Sequence, residues 1–508
     1  MKLVSISPNT QEKIGEVELT HPDEVKDIVF KAKTVQKEWA SLPIRKRIEF
    51  LKSARKILYN KSEALAKLIS EENGKPFFES ISTEIIPTLS LFDYYIKNSE
   101  KFLRPHYERI KLPVMIHKKS WIEYVPYGVV GIISPWNYPL LLPMGQIIPA
   151  LVSGNTIVFK PSEWTPLTGE FISLIFSEAN IPSNVFNVIY GAAEVGNALV
   201  NSDIDKLFFT GSTQVGRIIA KNCAEKLLPV SLELGGKDPA IVLNDADLKR
   251  AAKGIAWGAI MNAGQTCVSV ERVYVQSKIY FQFIEELKKV LANLRNYDQS
   301  NFYDYGNIKL DKQVSIIKDH LNDALSKGAQ IYYGGHITNN FVEPTILVNV
   351  NHSMKVMKEE TFGPIIPIQK FDTIEEAIEL ANDCDYGLSA SVWTKNISKG
   401  KEVAKKIYSG SVLINDCISY FGTPEAVVGG IKFSGSGRVH SKSGIMEMVY
   451  EKYYSNDSFT WQKKLWWFNY GEKETKNILE ALNFLFGKNI FKRILSGIKI
   501  FPLLFKKA

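Results

Sequence analysis

Between Gly128 and Thr210 the chain repeats one pattern four times, and that repetition limits the fold more than any other feature. Four short apolar runs stand at 129–133, 156–160, 185–189 and 206–210, spaced so that a helix fits between each pair. Runs such as Val129-Val130-Gly131-Ile132-Ile133 are apolar on both faces of a strand, which predicts a parallel sheet covered by helices on either side. The expected fold class is therefore α/β. Ligands of such sheets sit beyond the carboxyl ends of the strands, so the residues that follow each run carry the functional question.

Those residues are distinctive. The first run leads into Ser134-Pro135-Trp136-Asn137-Tyr138-Pro139, where two prolines and two aromatics hold an asparagine whose NH₂ can donate to an oxyanion or simply close a turn. After the second come Lys160-Pro161-Ser162-Glu163, a pair suited to the two hydroxyls of a ribose or to a capped surface turn. A carboxylate there repels a 2′-phosphate, which tilts the choice towards NAD over NADP. The fourth is followed by Gly211-Ser212-Thr213 opening a helix: small residues that let a phosphate approach a helix N-terminus, or an ordinary cap. Further on, Glu233 precedes Gly235-Gly236 between Leu232 and Leu234, a setting for a general base of raised pKa or for a strand end beside a turn.

Gly264-Gln265-Thr266-Cys267 lies between a helix-compatible run, 255–263, and a β-rich one, 268–275. Taken alone, a free cysteine is more often a small buried hydrophobe than a nucleophile. The four cysteines (223, 267, 384 and 417) form no CxxC pair and no zinc-like spacing with the seven histidines. A reducing compartment and no structural metal are expected. The first residues lack the apolar core of a signal peptide, so the expected location is cytoplasmic.

The order of these motifs decides more than any one of them. Pro-Trp-Asn at 135–137, Lys-Pro-Ser-Glu at 160–163, Phe-Thr-Gly-Ser at 209–212 and Glu-Leu-Gly-Gly-Lys at 233–237 come first. Gly-Gln-Thr-Cys at 264–267, Glu-Glu-Thr-Phe-Gly-Pro at 359–364 and Gly-Gly-Ile-Lys-Phe-Ser-Gly at 429–435 follow. Together they resemble the aldehyde dehydrogenase superfamily, of the hydrolytic type that does not acylate coenzyme A, from residue 1 to about 456.

The resemblance implies oxidation of an aldehyde to a carboxylic acid with hydride transfer to NAD, or NADP. It implies that Cys267 is the nucleophile, forming a thiohemiacetal and then a thioester, that Asn137 donates to the oxyanion, and that Glu233 activates water. Cofactor contacts would come from Ser134, Pro135, Trp136, Lys160, Ser162, Glu163, Gly211, Ser212, Leu234, Gly235, Glu360 and Phe362. The implied fold joins a Rossmann-type NAD(P)-binding domain (1–112 and 127–235) to an α/β catalytic domain (236–428). A small β oligomerisation arm (113–126 and 446–456) would make a homodimer or homotetramer. A coenzyme A-dependent relative usually lacks the glutamate, and a non-catalytic binding protein on the fold typically loses the cysteine or glutamate; this chain keeps both. It departs from the pattern at Val427-Val428 and at Gly437-Arg438-Val439-His440, where Pro-Phe and Gly-Arg-Glu are commoner, and these sites lie near the region that shapes substrate entry.

The 508 residues exceed what one core fills, so several domains are expected. Residues 1–20 read as a strand pair turning at Pro8-Asn9-Thr10. Helical spacing follows at 21–39, over 45–73 (ended by Asn73-Gly74) and over 79–103. Alternation of Met115, His117, Trp121, Glu123 and Val125 predicts a strand hairpin within 114–126. The net charge of +8 sits in the tail: from Trp461 onward ten Lys and Arg face three Glu, leaving the body nearly neutral. Nucleic acid is thereby excluded as a partner.

The tail, 457–508, carries the cluster Lys464-Leu465-Trp466-Trp467-Phe468 and two amphipathic patterns, the second opposed by Lys488, Lys492, Arg493 and Lys499, before Leu503-Leu504-Phe505-Lys506-Lys507. No run reaches the ~20 apolar residues of a spanning helix. A basic amphipathic segment fits the surface of an anionic membrane, with packing on protein as the alternative, and makes lipophilic or long-chain aldehydes candidate substrates beside succinate semialdehyde and other small ones.

Overall fold

A computed structural model describes residues 2–115, 117–297, 302–458, 460, 464, 466–468 and 470–505. Its contacts divide the chain into two compact units, Met1–Phe102 with Pro126–Val449, and Leu103–Val125 with Tyr450–Ala508.

The four repeated runs of the first unit form one sheet. Its strand order is Gly435–Ser436, Val230–Glu233, Lys206–Thr210, Val129–Ile133, Thr156–Lys160, Phe186–Val188, parallel throughout except for the short first strand. Three of these strands are buried along their whole length, which is why they read as continuous apolar runs. From Val129–Ile133 the chain builds outward through two strands, then returns to the opposite side with Lys206–Thr210. The strand order therefore reverses between Val129–Ile133 and Lys206–Thr210, and the crevice for a ligand opens beyond their carboxyl ends.

A seven-stranded sheet follows, ordered Gln330–Tyr333, Thr345–Val348, Ile365–Phe371, Val270–Gln276, Asp238–Val242, Ser389–Trp393, Ser411–Ile414, with only the first pair antiparallel. Helix Leu248–Ile260 packs its Ala252, Ile255, Ala256 and Ala259 into the core over this sheet and leads directly into the cysteine loop.

Two helical readings need refinement. The pattern over 45–73 is two helices, Ile44–Asn60 and Ser62–Asn73, whose periodicity runs on across the break; Gly74 ends the second in the left-handed region (φ 94°). The pattern over 79–103 begins with a π-helical turn, Ser80–Ile85, before the α-helix Ile86–Phe102. Bonds in a π turn span five residues, so Glu79 and Glu84 fall on one face, and both are buried.

In the second unit the expected hairpin within 114–126 is not formed. Lys118–Pro126 is a single strand of a three-stranded sheet, between Val449–Asp457 and His106–Glu108, and Pro113–Met115 is a 3₁₀ turn. Pro113 starts that turn, and the partner His106–Glu108 is exposed on both faces, so it leaves no alternation to read.

The tail forms a helical hairpin, Glu472–Phe486 against Ile490–Ile500, followed by a 3₁₀ turn, Phe501–Phe505. The Asn489 side chain caps the second helix, accepting from the N–H groups of Phe491 and Lys492. Ile478, Leu482, Phe491, Ile494 and Ile498 are all exposed, Phe491 by 74%. Leu465, Lys506 and Lys507 lie outside the described residues. Among the described residues no helix is long and apolar enough to cross a membrane.

Candidate active site

The cysteine loop is built from strained backbone. After helix Leu248–Ile260, the residues Asn262, Ala263 and Gly264 all take left-handed φ angles of 53°, 54° and 75°. For the two non-glycine residues such a conformation costs of order 1 kcal/mol or more each, and it persists only where neighbours enforce it. Here the Asn262 N–H donates to the buried Glu79 carboxylate at 2.9 Å, and the Asn262 side chain donates to the Asn137 carbonyl at 3.0 Å. Gly264 lies against Gly363 so closely that a Cβ would stand 2.4 Å from its carbonyl oxygen. Cys267 then emerges just before strand Val270–Gln276. Cys223, Cys384 and Cys417 are buried, whereas Cys267 is partly exposed. Burial, with Glu360, Asp238 and Glu233 nearby, holds its thiol well above the usual range.

Asn137 faces the same loop. Its side-chain NH₂ donates to the Gln265 carbonyl at 3.1 Å, and its own carbonyl accepts from the Lys75 ammonium at 2.8 Å. Lys75 is paired with Glu84 at 2.7 Å, and the second Glu84 oxygen accepts the N–H groups of Leu140 and Leu141 at 2.8 and 3.1 Å. Lys75 also sits 3.8 Å from the ring centre of Tyr138, whose hydroxyl meets that of Thr266 at 2.9 Å. One buried scaffold thus fixes both loops. Sequence reasoning missed Lys75, Glu79 and Glu84: Lys75 sits in the break between two helices, and the glutamates sit in a segment read only as a core-facing helix.

Glu233 ends strand Val230–Glu233 and borders, with Cys267, a cavity of about 20 Å³. Burial pushes its carboxyl up to about 8, against a smaller downward pull from Arg438.

Eight of the expected cofactor residues come together at the crevice where the strand order reverses. Ser134, Pro135, Trp136, Lys160, Ser162, Glu163, Gly211 and Ser212 line a cavity of about 970 Å³, at the large end of the range for small-molecule sites. Lys160 lies 3.6 Å from Glu163. Ser212 caps helix Thr213–Glu225, presenting the free N–H groups and positive end of that helix to the cavity. The Ser134 hydroxyl is buried with no partner among the described residues. These residues fit a dinucleotide.

Leu234, Gly235, Glu360 and Phe362 stand outside that lining, and Phe362 touches it. Phe362 meets the Trp136 ring edge-on at 5.9 Å, held at φ 51° by the Glu271 carboxylate, which accepts the N–H groups of Thr361 and Phe362 at 2.7 Å each. Glu360 accepts from the Gly236 N–H at 3.0 Å, and a Cβ on Gly235 would stand 2.4 Å from its carboxylate. Leu234 borders the small cavity beside Glu233.

The chain matches the model of the aldehyde dehydrogenase family over residues 1–454. It belongs to that family. A 4,4'-diapolycopene aldehyde oxidase of Methylomonas is 35% identical over 488 residues, covering 96% of this chain and 92% of that protein. A putative NADP⁺ succinate-semialdehyde dehydrogenase of Mycolicibacterium smegmatis is 35% identical over 423 residues, 82% of this chain and 81% of its own length. Among solved structures, an aldehyde dehydrogenase of Mycobacterium tuberculosis complexed with NAD⁺ superposes with a TM-score of 0.85 at 31% identity, covering 89% of this chain and 94% of that one.

In this aldehyde dehydrogenase a further cavity, of about 290 Å³, reaches Cys267. Its walls include Ile86, Leu141, Leu142, Trp257, Ile418 and Phe421, with the hydroxyls of Ser82, Thr83 and Thr423. Among the described residues none that lines it is Lys, Arg or His.

Proposed function

We propose that this aldehyde dehydrogenase oxidises lipophilic aldehydes to carboxylic acids with NAD(P)⁺, working at a membrane surface. The observation that carries the substrate class is the apolar cavity beside Cys267, which offers no cation to a second carboxylate. That weighs against succinate semialdehyde, because a buried carboxylate with hydroxyls but no cation beside it is left an unpaired charge. The relative named for a diapolycopene aldehyde, which covers 96% of this chain, supports the same reading.

Cys267 gives its thiol proton to solvent, its sulfur bonds to the carbonyl carbon, and the alkoxide so formed accepts from the Asn137 NH₂ and the Cys267 N–H. Bound NAD(P)⁺ supplies the hydride acceptor. Glu233 then takes a proton from water as the water attacks the thioester, and the C–S bond breaks. Lys160 and Glu163 hold the adenosine ribose, Ser212 and Gly211 the pyrophosphate, and Glu360 and Phe362 the nicotinamide end. The Glu163 carboxylate favours NAD⁺ over NADP⁺. The exposed apolar residues of the tail hairpin, with Lys488 and Lys492 exposed on the same segment, support attachment to anionic lipid. Val449–Asp457 is an edge strand with exposed Tyr450 and Tyr453, which supports pairing with a second copy in a homo-oligomer.

The test follows absorbance at 340 nm with NAD⁺ and a series of straight-chain aldehydes. Each added methylene is expected to raise kcat/KM about fourfold until the cavity fills, since burying one is worth ~0.8 kcal/mol. Succinate semialdehyde should be a poor substrate and Cys267→Ala inactive. A Cys267→Ala enzyme as fast as wild type, or succinate semialdehyde as the best substrate, overturns the reading.

A further inference from the structure

Between Glu233 and Cys267 lies the cavity of about 20 Å³ that also touches Gln146, Phe421 and His440. Three of its lining residues bring a buried polar atom with no partner among the described residues: Glu233 Oε1, Gln146 Oε1 and His440 Nδ1. Unpaired buried polar atoms are uncommon, and three on residues that line one cavity point to a shared ligand. The volume suits one water, which needs about 15 Å³ and two to four polar partners. We infer that Gln146 and His440 are positioning residues that hold the hydrolytic water of the thioester step against Glu233.

The chemistry closes. Gln146 uses its NH₂ on the Thr210 hydroxyl at 3.1 Å, so its free atom is a carbonyl oxygen that can only accept. Glu233 as a carboxylate also accepts. A water donating one proton to each has two lone pairs left. His440 with its proton on Nδ1 donates to one of them, and the other is free to attack. The water oxygen bonds to the thioester carbonyl carbon, one of its protons passes to Glu233, and the C–S electron pair returns to the Cys267 sulfur. The proton on Glu233 then goes to that sulfur, giving the free acid and the thiol.

His440 is set up for this task. It is 2% exposed, with backbone in the left-handed region (φ 60°), and its ring meets Phe421 edge-on at 5.5 Å. Its Nε2 would come within 3.1 Å of a Cβ at position 145, so Gly145 leaves room for the imidazole. Burial keeps the ring neutral at working pH, pushing its pKa down to about 4. His440 follows Val439, where this chain departs from the commoner Gly-Arg-Glu.

The inference rests on the proposed thioester reaction, and the experiment separates the two. Full-length wild type, His440→Phe, His440→Asn and Gln146→Leu are mixed with NAD⁺ and a straight-chain aldehyde. First-turnover NADH formation, the steady rate and the acyl-Cys267 mass are then measured. The first turnover is expected at the wild-type rate in all four. The steady rate should fall roughly tenfold or more in His440→Phe and Gln146→Leu, the scale of one lost hydrogen bond to a charged group. Acyl enzyme should accumulate in both, and His440→Asn, whose NH₂ still donates, should recover much of the rate. A first turnover and steady rate that fall together, or two unchanged steady rates, overturn the inference while the enzyme reading stands. A wild type with no acyl-Cys267 and a Cys267→Ala enzyme that still turns over overturn both.

Discussion

The side-chain amide of Asn137 donates to the main-chain carbonyl of Gln265 at 3.1 Å, bridging the end of a cofactor-sheet strand to the loop that carries Cys267. Only one of the two amide hydrogens is used, and the other remains for an alkoxide formed on Cys267. Asn137→Ala removes the bridge and the donor together. A fall in kcat/KM of roughly 10²–10³ is expected, the range for one oxyanion donor, with little change in NAD⁺ affinity. Stopped-flow NADH formation and cofactor titration check the two halves. Asn137→Asp should be slower still, because a carboxylate there opposes both the thiolate and the alkoxide.

Lys75 and Glu84 act on that bridge from behind. Both side chains have no exposed surface and form an ion pair at 2.7 Å. Removing one partner leaves an unpaired buried charge, which typically costs 3–5 kcal/mol, whereas replacing both costs far less. Lys75→Met and Glu84→Gln should each lower the melting temperature by several degrees. The double substitution should lower it by less than the two single losses added. Calorimetry on the three variants decides, and additive losses would show that the pair is not coupled.

The carboxyl of Glu233 is raised to about 8 by burial, so at pH 7 only a minor ionised fraction can accept a proton from water. Its raised value favours the neutral form, and the basic form appears only as pH climbs through 8. Decay of the acyl enzyme should therefore rise about tenfold per unit below pH 8 and level off above it. Glu360 is also raised to about 8, so overall turnover would mix the two groups. Following acyl-enzyme decay by itself, with Glu233→Gln as the control that loses the pH limb, isolates Glu233.

The parallel sheet was legible because burial on both faces leaves continuous apolar runs, and Val129–Ile133, Thr156–Lys160 and Lys206–Thr210 stand where those runs do. Eight cofactor candidates read from strand ends or carried over from the family resemblance meet at one crevice, because a reversal of strand order draws those ends together. Lys75, Glu79 and Glu84 were not legible, since nothing in a helical period announces the π turn that aligns residues five apart. His106–Glu108 was missed for the opposite reason: a strand exposed on both faces carries no pattern. Gln146 was silent as well, and His440 stood out only within a departure from the family pattern, because an unpaired atom is a property of packing rather than of residue type.

The tail hairpin carries the last expectation. Phe491 and Ile498 are 74% and 68% exposed on helix Ile490–Ile500, and Ile478 and Leu482 are exposed on its partner helix. An apolar face of this kind with lysines at its border gains from burial in the acyl boundary and from anionic headgroups, each nearby lysine adding about 1 kcal/mol at low salt. Every residue assigned a catalytic or cofactor role lies in the first compact unit, and the hairpin lies in the second. Deleting 474–508 should therefore leave turnover of a short soluble aldehyde unchanged while removing sedimentation with vesicles rich in anionic phospholipid. Phe491→Glu with Ile498→Glu should do the same in the full chain, and raising the salt concentration should weaken wild-type binding. Vesicle binding that survives the deletion would assign the membrane contact elsewhere, and a change of oligomeric state on deletion would assign this face to a second copy of the chain.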